Sequence, residues 1–485
     1  MLVFNLIMMK KILKYTVLSV LTASIALQGC KDSYFDNVAK NPNQVTTPTL
    51  ASLLATSTSK AGVNNYNVAS AIVPYVQYTA NPAAAGAGDT YQSIDFSGTW
   101  DALYFAIADA NEMKKMAVAQ GSSEYKGVAD VLMAYNLIMV NDMWGSAPFS
   151  QAFDITNFFP KYDSAQEIYN QSMALVDEAI VELAKTNATV KLAATSDLIY
   201  GTTGANERAN WLKFAYALKA RLLNKVSKTS TYNPTAVLSA VGSSFASNAE
   251  DAQMATFSVR NFWAGVAISN ASQSLGGWLS EQLIDHLNGT TYGLFDPRIA
   301  KITDRTVNNV YIGTVNGAGN RLPGANTVKD ECYISVNSPW TSPTSPIFIA
   351  TYAEMKFIEA EAAFTTDKTR SYNAYLAAIS ANMDKFQVAA ADKATYLADP
   401  RVAVGVAAFT KDLIFKEKYV ATYLNPEAWN DARRYDYKYK DFTLPVNVTL
   451  PDFIRRNDYP QGERSKNGAN VPAEVPRTTK LWWDQ

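Results

Sequence analysis

A solenoid of stacked helix pairs, mainly α with little strand, is the fold class this sequence predicts. Three observations carry the prediction. Tyr125 to Trp144 is a long apolar run with few breakers, in which Val128, Leu132, Tyr135 and Met139 recur at helical spacing. After a turn punctuated by Gly145 and Pro148, residues 163–185 form a second amphipathic stretch, with Ile168, Leu175, Ala179 and Leu183 on one face. Two such helices cannot bury both stripes alone, so further helices must stack beside them, and candidates follow at 209–227 and 349–364.

From the N-terminus, residues 1–29 read as a signal peptide. Lys10, Lys11 and Lys14 are its basic region, and Tyr15 to Leu27 is an apolar stretch too short for a bilayer span, which needs ~20 residues. Leu27-Gln-Gly-Cys30 looks like a bacterial lipobox, which makes Cys30 the expected lipid acceptor; Met1, Met8 or Met9 can each serve as the start. Lys31-Asp32 resembles the charged signal that sends related lipoproteins to the cell surface, and residues 30–49 read as a polar tether. Residues 50–485 are then the folded domain.

Within that domain, 98–120 is a helix with Trp100, Leu103, Ile107, Ala110 and Met113 on one face, and it pairs with 125–143. The helix 163–185 opens with Asp163 as N-cap and Gln166 three residues on, as in a capping box. Past a polar excursion at 186–210, Trp211, Phe214, Leu218, Leu222 and Val226 form the stripe of 209–227, the expected partner of 163–185. Helices resume at 349–364, paired with 372–386, and at 409–423, paired with its neighbour. The scaffold is therefore expected mainly in 98–228 and 349–424. Between them, 230–347 is rich in Gly, Ser, Asn and Thr and reads as loops.

Composition excludes several function classes. Without residues 1–29, which hold three lysines and no acid, 40 basic residues stand against 44 acidic ones, a net charge of −4. That is not the footprint of a nucleic-acid binder. Cys30 and Cys332 are the only cysteines, and with Cys30 lipidated no intramolecular disulfide can form. His286 is the only histidine and sits in an amphipathic run, where a structural role is expected. No nucleophile elbow, zinc-protease helix, phosphate loop, dinucleotide fingerprint or calcium loop is present, so no catalytic residue, cofactor or metal is expected. Glu354, Glu359 and Glu361 share one helix among apolar neighbours and are expected to be structural or solvated, as is Arg433-Arg434.

A series of short motifs runs through the chain in order. Asp142-Met-Trp-Gly-Ser-Ala-Pro-Phe149 with Ala152-Phe153 comes first, then Asp197-Leu-Ile-Tyr-Gly201 and Trp211-Leu-Lys-Phe214 with Leu218-Lys-Ala-Arg221. Asp296-Pro-Arg298, Tyr311-Ile-Gly313 and Pro346 followed by Thr351-Tyr-Ala-Glu354 come next. Ile414-Phe-Lys-Glu-Lys-Tyr419, Glu427-Ala-Trp-Asn-Asp-Ala-Arg-Arg434, Tyr459-Pro460 with Glu463 and Asn467, and Leu481-Trp-Trp-Asp484 close it. Together they resemble the SusD/RagB family of outer-membrane nutrient-binding lipoproteins. Lys416-Glu-Lys departs from the family's Gln there. The resemblance implies a tetratricopeptide-like helical scaffold and an irregular ligand face. It also implies a SusC-like TonB-dependent outer-membrane transporter as partner, and an oligosaccharide or peptide as ligand at the cell exterior.

Sugars stack their C–H faces on aromatic rings while amides, carboxylates and guanidinium groups bond their hydroxyls. The aromatic residues left in the loop-rich region are Trp263, Trp278 and Trp340, with Tyr292 near them, and these are candidate ligand contacts. The Gly-rich loop Asn81 to Tyr91 adds Asp89 and Tyr91. In the family's starch-binding member, these two regions supply the ligand face. A secreted glycan hydrolase and a surface scaffold without a small ligand remain as alternatives.

Overall fold

Ser-, Thr- and Asn-rich sequence, Leu50–Ile72, forms the first helix of the domain, α1. The structure, a computed structural model, describes residues 8–11, 13–15, 48–271, 277–321 and 330–485. The chain divides into two units, 1–49 and 50–485. Cys30, the lipobox and most of the tether lie outside the described residues. No described helix is long and apolar enough to cross a membrane.

α1 is absent from the helices the sequence predicts, because Ser, Thr and Asn favour turns by bonding nearby backbone. Packing decides otherwise. Asn64 Nδ2 donates to Asn136 Oδ1 at 2.8 Å, and Asn65 Nδ2 donates to the Tyr135 hydroxyl at 2.8 Å, so these amides serve a neighbouring helix instead of a local turn.

That neighbour, α3 (Ser123–Trp144), follows α2 (Ser97–Ala119) as predicted. Ser122 caps it, accepting from the Tyr125 N–H at 3.2 Å. Every residue of α3 from Gly127 onward is buried, so it is a central helix covered all round. The next helix, α4 (Ala165–Ala184), packs against both α3 and α5 (Glu207–Lys225), not against α5 alone. Its N-cap is Ser164 with Glu167 completing the capping box, one residue later than Asp163 and Gln166. Asp163 instead clamps the preceding loop. Its carboxylate accepts from the Phe149 N–H at 3.0 Å, and from the Ser150 N–H and hydroxyl at 2.7 Å each.

The region 230–347 holds more regular structure than its composition suggests. It contains α6 (Pro234–Ser243), α7 (Phe262–Ala271) and α8 (Glu281–Asn288). Two short antiparallel ladders staple it to the scaffold. β1 (Thr79–Ala80), just after α1, pairs with β3 (Trp278–Leu279). β2 (Ala252–Met254) pairs with β4 (Ile347–Ala350), which leads into α9 (Tyr352–Ala363). The helices α10 (Lys368–Lys385), α11 (Ala390–Ala398), α12 (Lys411–Ala421), α13 (Glu427–Arg434) and α14 (Gln461–Lys466) complete the domain, with α9 against α10 as predicted.

The ordered sequence motifs meet in the scaffold as buried ion pairs. Arg221 on α5 grips the Glu354 carboxylate with two bonds, at 2.5 and 2.6 Å, and donates to the Ile349 carbonyl. Glu361 accepts from Lys418 and Arg434, each at 2.7 Å. Burial opposes its ionisation, yet those two cations hold its carboxyl well below the usual range. Arg298 joins Asp296 to Glu417. Arg433 lies over the Trp429 ring at 3.8 Å, and Arg455 pairs with Asp484 of the C-terminal Trp-Trp-Asp at 2.7 Å. The structural reading of Glu354, Glu361 and Arg434 therefore holds. His286 is likewise internal: its ring stacks on Tyr419 at 5.2 Å, and burial pushes its pKa down to about 3, so it stays neutral.

Candidate ligand-binding site

The three tryptophans singled out from the loop-rich region do not present open faces. Trp263, in the first turn of α7, is buried with its ring edge-on to Tyr66 at 4.9 Å. Trp278 is buried in β3. Trp340 stacks on Phe386 at 3.8 Å and meets Phe348 at 4.5 Å. Packing covers all three of these candidate contacts. Segments rich in Ser, Asn and Gly are threaded through the fold here, and their polar side chains bond backbone internally. Asn261 Nδ2, for example, donates to the carbonyls of Trp340 and Ser345.

Asp89 and Tyr91 are also turned inward. The Asp89 carboxylate accepts from the Asn81 N–H at 2.8 Å and the Gly317 N–H at 3.1 Å, and burial raises its pKa to about 6. Tyr91 is fully buried, edge-on to Tyr75 at 5.8 Å. Tyr292 is half-buried, its ring 4.7 Å from His286 with the Lys416 ammonium 5.0 Å from its centre. Burial raises its hydroxyl to about 12.

Asp89 ties its loop to Gly317, beside a cleft. The loop Asn81–Tyr91 is laced to residues 316–320 and 446–447 around Gly317. Ala85 N–H donates to the Gly317 carbonyl at 2.9 Å, Asn447 Nδ2 donates to the same carbonyl at 3.2 Å, and Val446 N–H donates to the Asn316 carbonyl at 2.9 Å. Gly317 has φ +80°, and a Cβ there would fall 1.8 Å from the Val446 carbonyl oxygen, so only glycine fits.

Beside this junction opens a cleft of about 190 Å³. Gln77, at the turn from α1 into β1, lines one side, and its amide donates to the Thr443 carbonyl at 2.7 Å. The first turns of α8 contribute Glu281 and Asp285, and Asn316 and Asp441 complete the polar lining. Several of these are positioned by neighbouring groups. Ser280, the N-cap of α8, bonds Asn316 Oδ1 at 2.5 Å, while Asn316 Nδ2 donates to the Thr79 carbonyl at 2.9 Å. Arg321 reaches both Glu281 and Glu331. Burial raises the Asp285 carboxyl above its ordinary value. Amides, hydroxyls and carboxylates with no cation among the lining residues suit a neutral, hydroxyl-rich ligand better than an anion. The sequence reading reached the neighbourhood through Asp89, Tyr91 and Tyr292 but missed Gln77, Asn316 and Asp441. These sit in irregular backbone with no motif or periodicity. The one usable signal was the polar first turn of the amphipathic run around His286. Among the described residues, no three His, Cys, Asp or Glu side chains come together as a metal site.

A family model described as "Starch-binding associating with outer membrane" (SusD-like) matches residues 37–460. No curated protein matches the sequence. Solved structures share the fold. A SusD/RagB family protein from Bacteroides thetaiotaomicron superposes with a TM-score of 0.75 at 20% identity, over 90% of this chain and 99% of that one. A chitin-binding SusD homolog from Flavobacterium johnsoniae gives 0.71 at 22% identity, over 91% and 96%. A SusD homolog from Bacteroides fragilis gives 0.73 at 19%, over 90% and 100%.

Proposed function

The chain belongs to the SusD-like family, which binds nutrients or glycans at the outer membrane, and from that premise we propose that it captures a neutral oligosaccharide at the cleft beside the Asn81–Tyr91 loop. The observation that carries this reading is the lining: Gln77, Asn316, Asp285 and Asp441 converge as hydroxyl-bonding groups on one opening, the first three held by hydrogen bonds from neighbouring groups. At about 190 Å³ the cleft is smaller than the ~300–1,000 Å³ of enclosed small-molecule pockets, so a chain would lie across it with one part seated inside. Asp89, Tyr91 and Tyr292 act as supports that shape the opening. Cys30 is the lipid attachment, and a SusC-like TonB-dependent barrel receives the ligand; anchoring both in one membrane raises their effective concentration. The protein binds without turning its ligand over.

Titration of the purified domain with starch and chitin oligosaccharides tests the reading, alongside Gln77→Ala and Asp441→Ala variants. Binding that weakens in both variants, with no shortened products after incubation, is the expected result. Product formation would favour a hydrolase, and a flat response to every glycan would favour a scaffold protein.

A further inference from the structure

A second opening, of about 600 Å³, borders α1 and shares no lining residue with the polar cleft, and its lining is more apolar. Leu198, Met254, Phe257, Val259 and Phe262 line it, together with Ser59, Arg260 and Asn261. Phe262 opens α7 and remains 36% exposed, stacked on Tyr66 of α1 at 5.3 Å with the ring planes 30° apart. Phe257 meets Phe262 edge-on at 6.1 Å. Tyr66 in turn rests against the buried Trp263, so the accessible ring is backed by two more aromatic layers. Val259 is 81% exposed beside it. Gly265, one turn further along α7, has nothing within 4 Å of where a Cβ would stand, which leaves the helix backbone open to the space. The segment is held in place: Asn261 Oδ1 accepts from the Trp263 N–H at 2.8 Å while its amide bonds two carbonyls of the 340–345 segment.

The geometry points to a second glycan-binding site here, one that takes the apolar C–H face of a sugar ring against the partly exposed Phe262 and Phe257 rings, with Tyr66 stacked on Phe262. This rests on the oligosaccharide reading above. A braced aromatic face next to apolar walls gains by covering a flat apolar surface, and the hydroxyls of Ser59, Thr256 and Ser258 at the rim suit a sugar more than an aliphatic chain. The two openings divide the labour of sugar recognition: hydroxyl bonding beside Gln77 and ring stacking at Phe262.

The test uses the folded protein with maltose and chitin oligosaccharides as probes. Calorimetric titration should resolve two sites. Phe257→Ala/Phe262→Ala should weaken one of them by on the order of tenfold or more and leave the other, because a good aromatic anchor is worth above 1 kcal/mol. Gln77→Ala should do the converse. Because both phenylalanines are partly exposed, the double variant should keep its melting profile. Hydrogen exchange on the unmodified protein gives an independent readout, with bound glycan slowing exchange at 254–265. Glycan binding that is unchanged in the phenylalanine variant, with no protection at 254–265, overturns the second site and leaves the polar cleft standing. Loss of all binding in Gln77→Ala alone does the same. Binding that survives Gln77→Ala but is lost in the phenylalanine variant supports the second site and removes the polar-cleft reading. No glycan binding at all removes both.

Discussion

Trp340 sits between Phe386 and Phe348 in a stretch of Ser, Thr and Pro, and its indole is buried against both rings. Trp340→Ala should therefore cost roughly 3–5 kcal/mol of folding stability, read from denaturant unfolding, while the molecules that still fold keep their glycan affinity. Unchanged stability with lost affinity would put the ring back on the ligand. Asp89 gives a pH dependence of definite sign. Burial raises its carboxyl from 3.8 to about 6, against the opposing donors Asn81, Gly317 and Asn316. With the folded value above the unfolded one, proton binding favours the folded state. That stabilisation is complete below about pH 4 and is lost as pH rises through 6. The wild type should accordingly gain stability relative to Asp89→Asn as pH falls across that window. A stability difference that stays constant with pH would show that this proton is not coupled to folding.

At the scale of elements, capping and buried charge decide where helices begin and how they meet. Ser164→Ala should destabilise by ~1 kcal/mol through the lost cap, whereas Gln166→Ala should be nearly neutral, a contrast that thermal unfolding of the two variants checks. Between helices, Arg221 of α5 and Glu354 of α9 form a fully buried, two-bond pair. Arg221→Met strands the Glu354 carboxylate in the core and should cost about 3–5 kcal/mol. Replacing both partners with apolar residues of similar volume should cost less. A double-mutant cycle measures the coupling, and a double variant that costs the sum of the two single variants would mean that the pair contributes little of its own. These pairs explain why the motifs are so legible: the Trp-Gly turn, Tyr-Ala-Glu and Asp-x-Arg-Arg stretches carry contacts between helices.

For the whole molecule, residues 1–49 and the domain 50–485 are separate units, so the proposed attachment at Cys30 can be tested without altering the domain. Cys30→Ser should leave the domain folded, with unchanged melting, but release the protein from the outer-membrane fraction after a carbonate wash. Mutant protein that stays with the membrane would rule out Cys30 as the anchor. The same separation makes the binding titrations feasible on the domain alone. Ser59 of α1 lines one opening, and Gln77, in the turn that follows α1, lines the other.

Much of the architecture was written in local sequence. Apolar residues at helical spacing located α2 to α5, α9 and α10 to within a few residues, because burying one face of a helix leaves a periodic trace in the residues themselves. The short motifs identified the family for the same reason, since many of their charged and aromatic side chains have definite partners. α1 was hidden because its Asn64 and Asn65 look like turn residues until Asn136 and Tyr135 arrive from a helix distant in the sequence. The candidate site was legible only as a neighbourhood. Gln77, Asn316 and Asp441 converge through a glycine junction between three loops, and whether Trp340 or Phe262 is the exposed ring depends on which neighbours cover it. Exposure and convergence are properties of the packed molecule, set by contacts between residues far apart in the chain, and no local pattern encodes them.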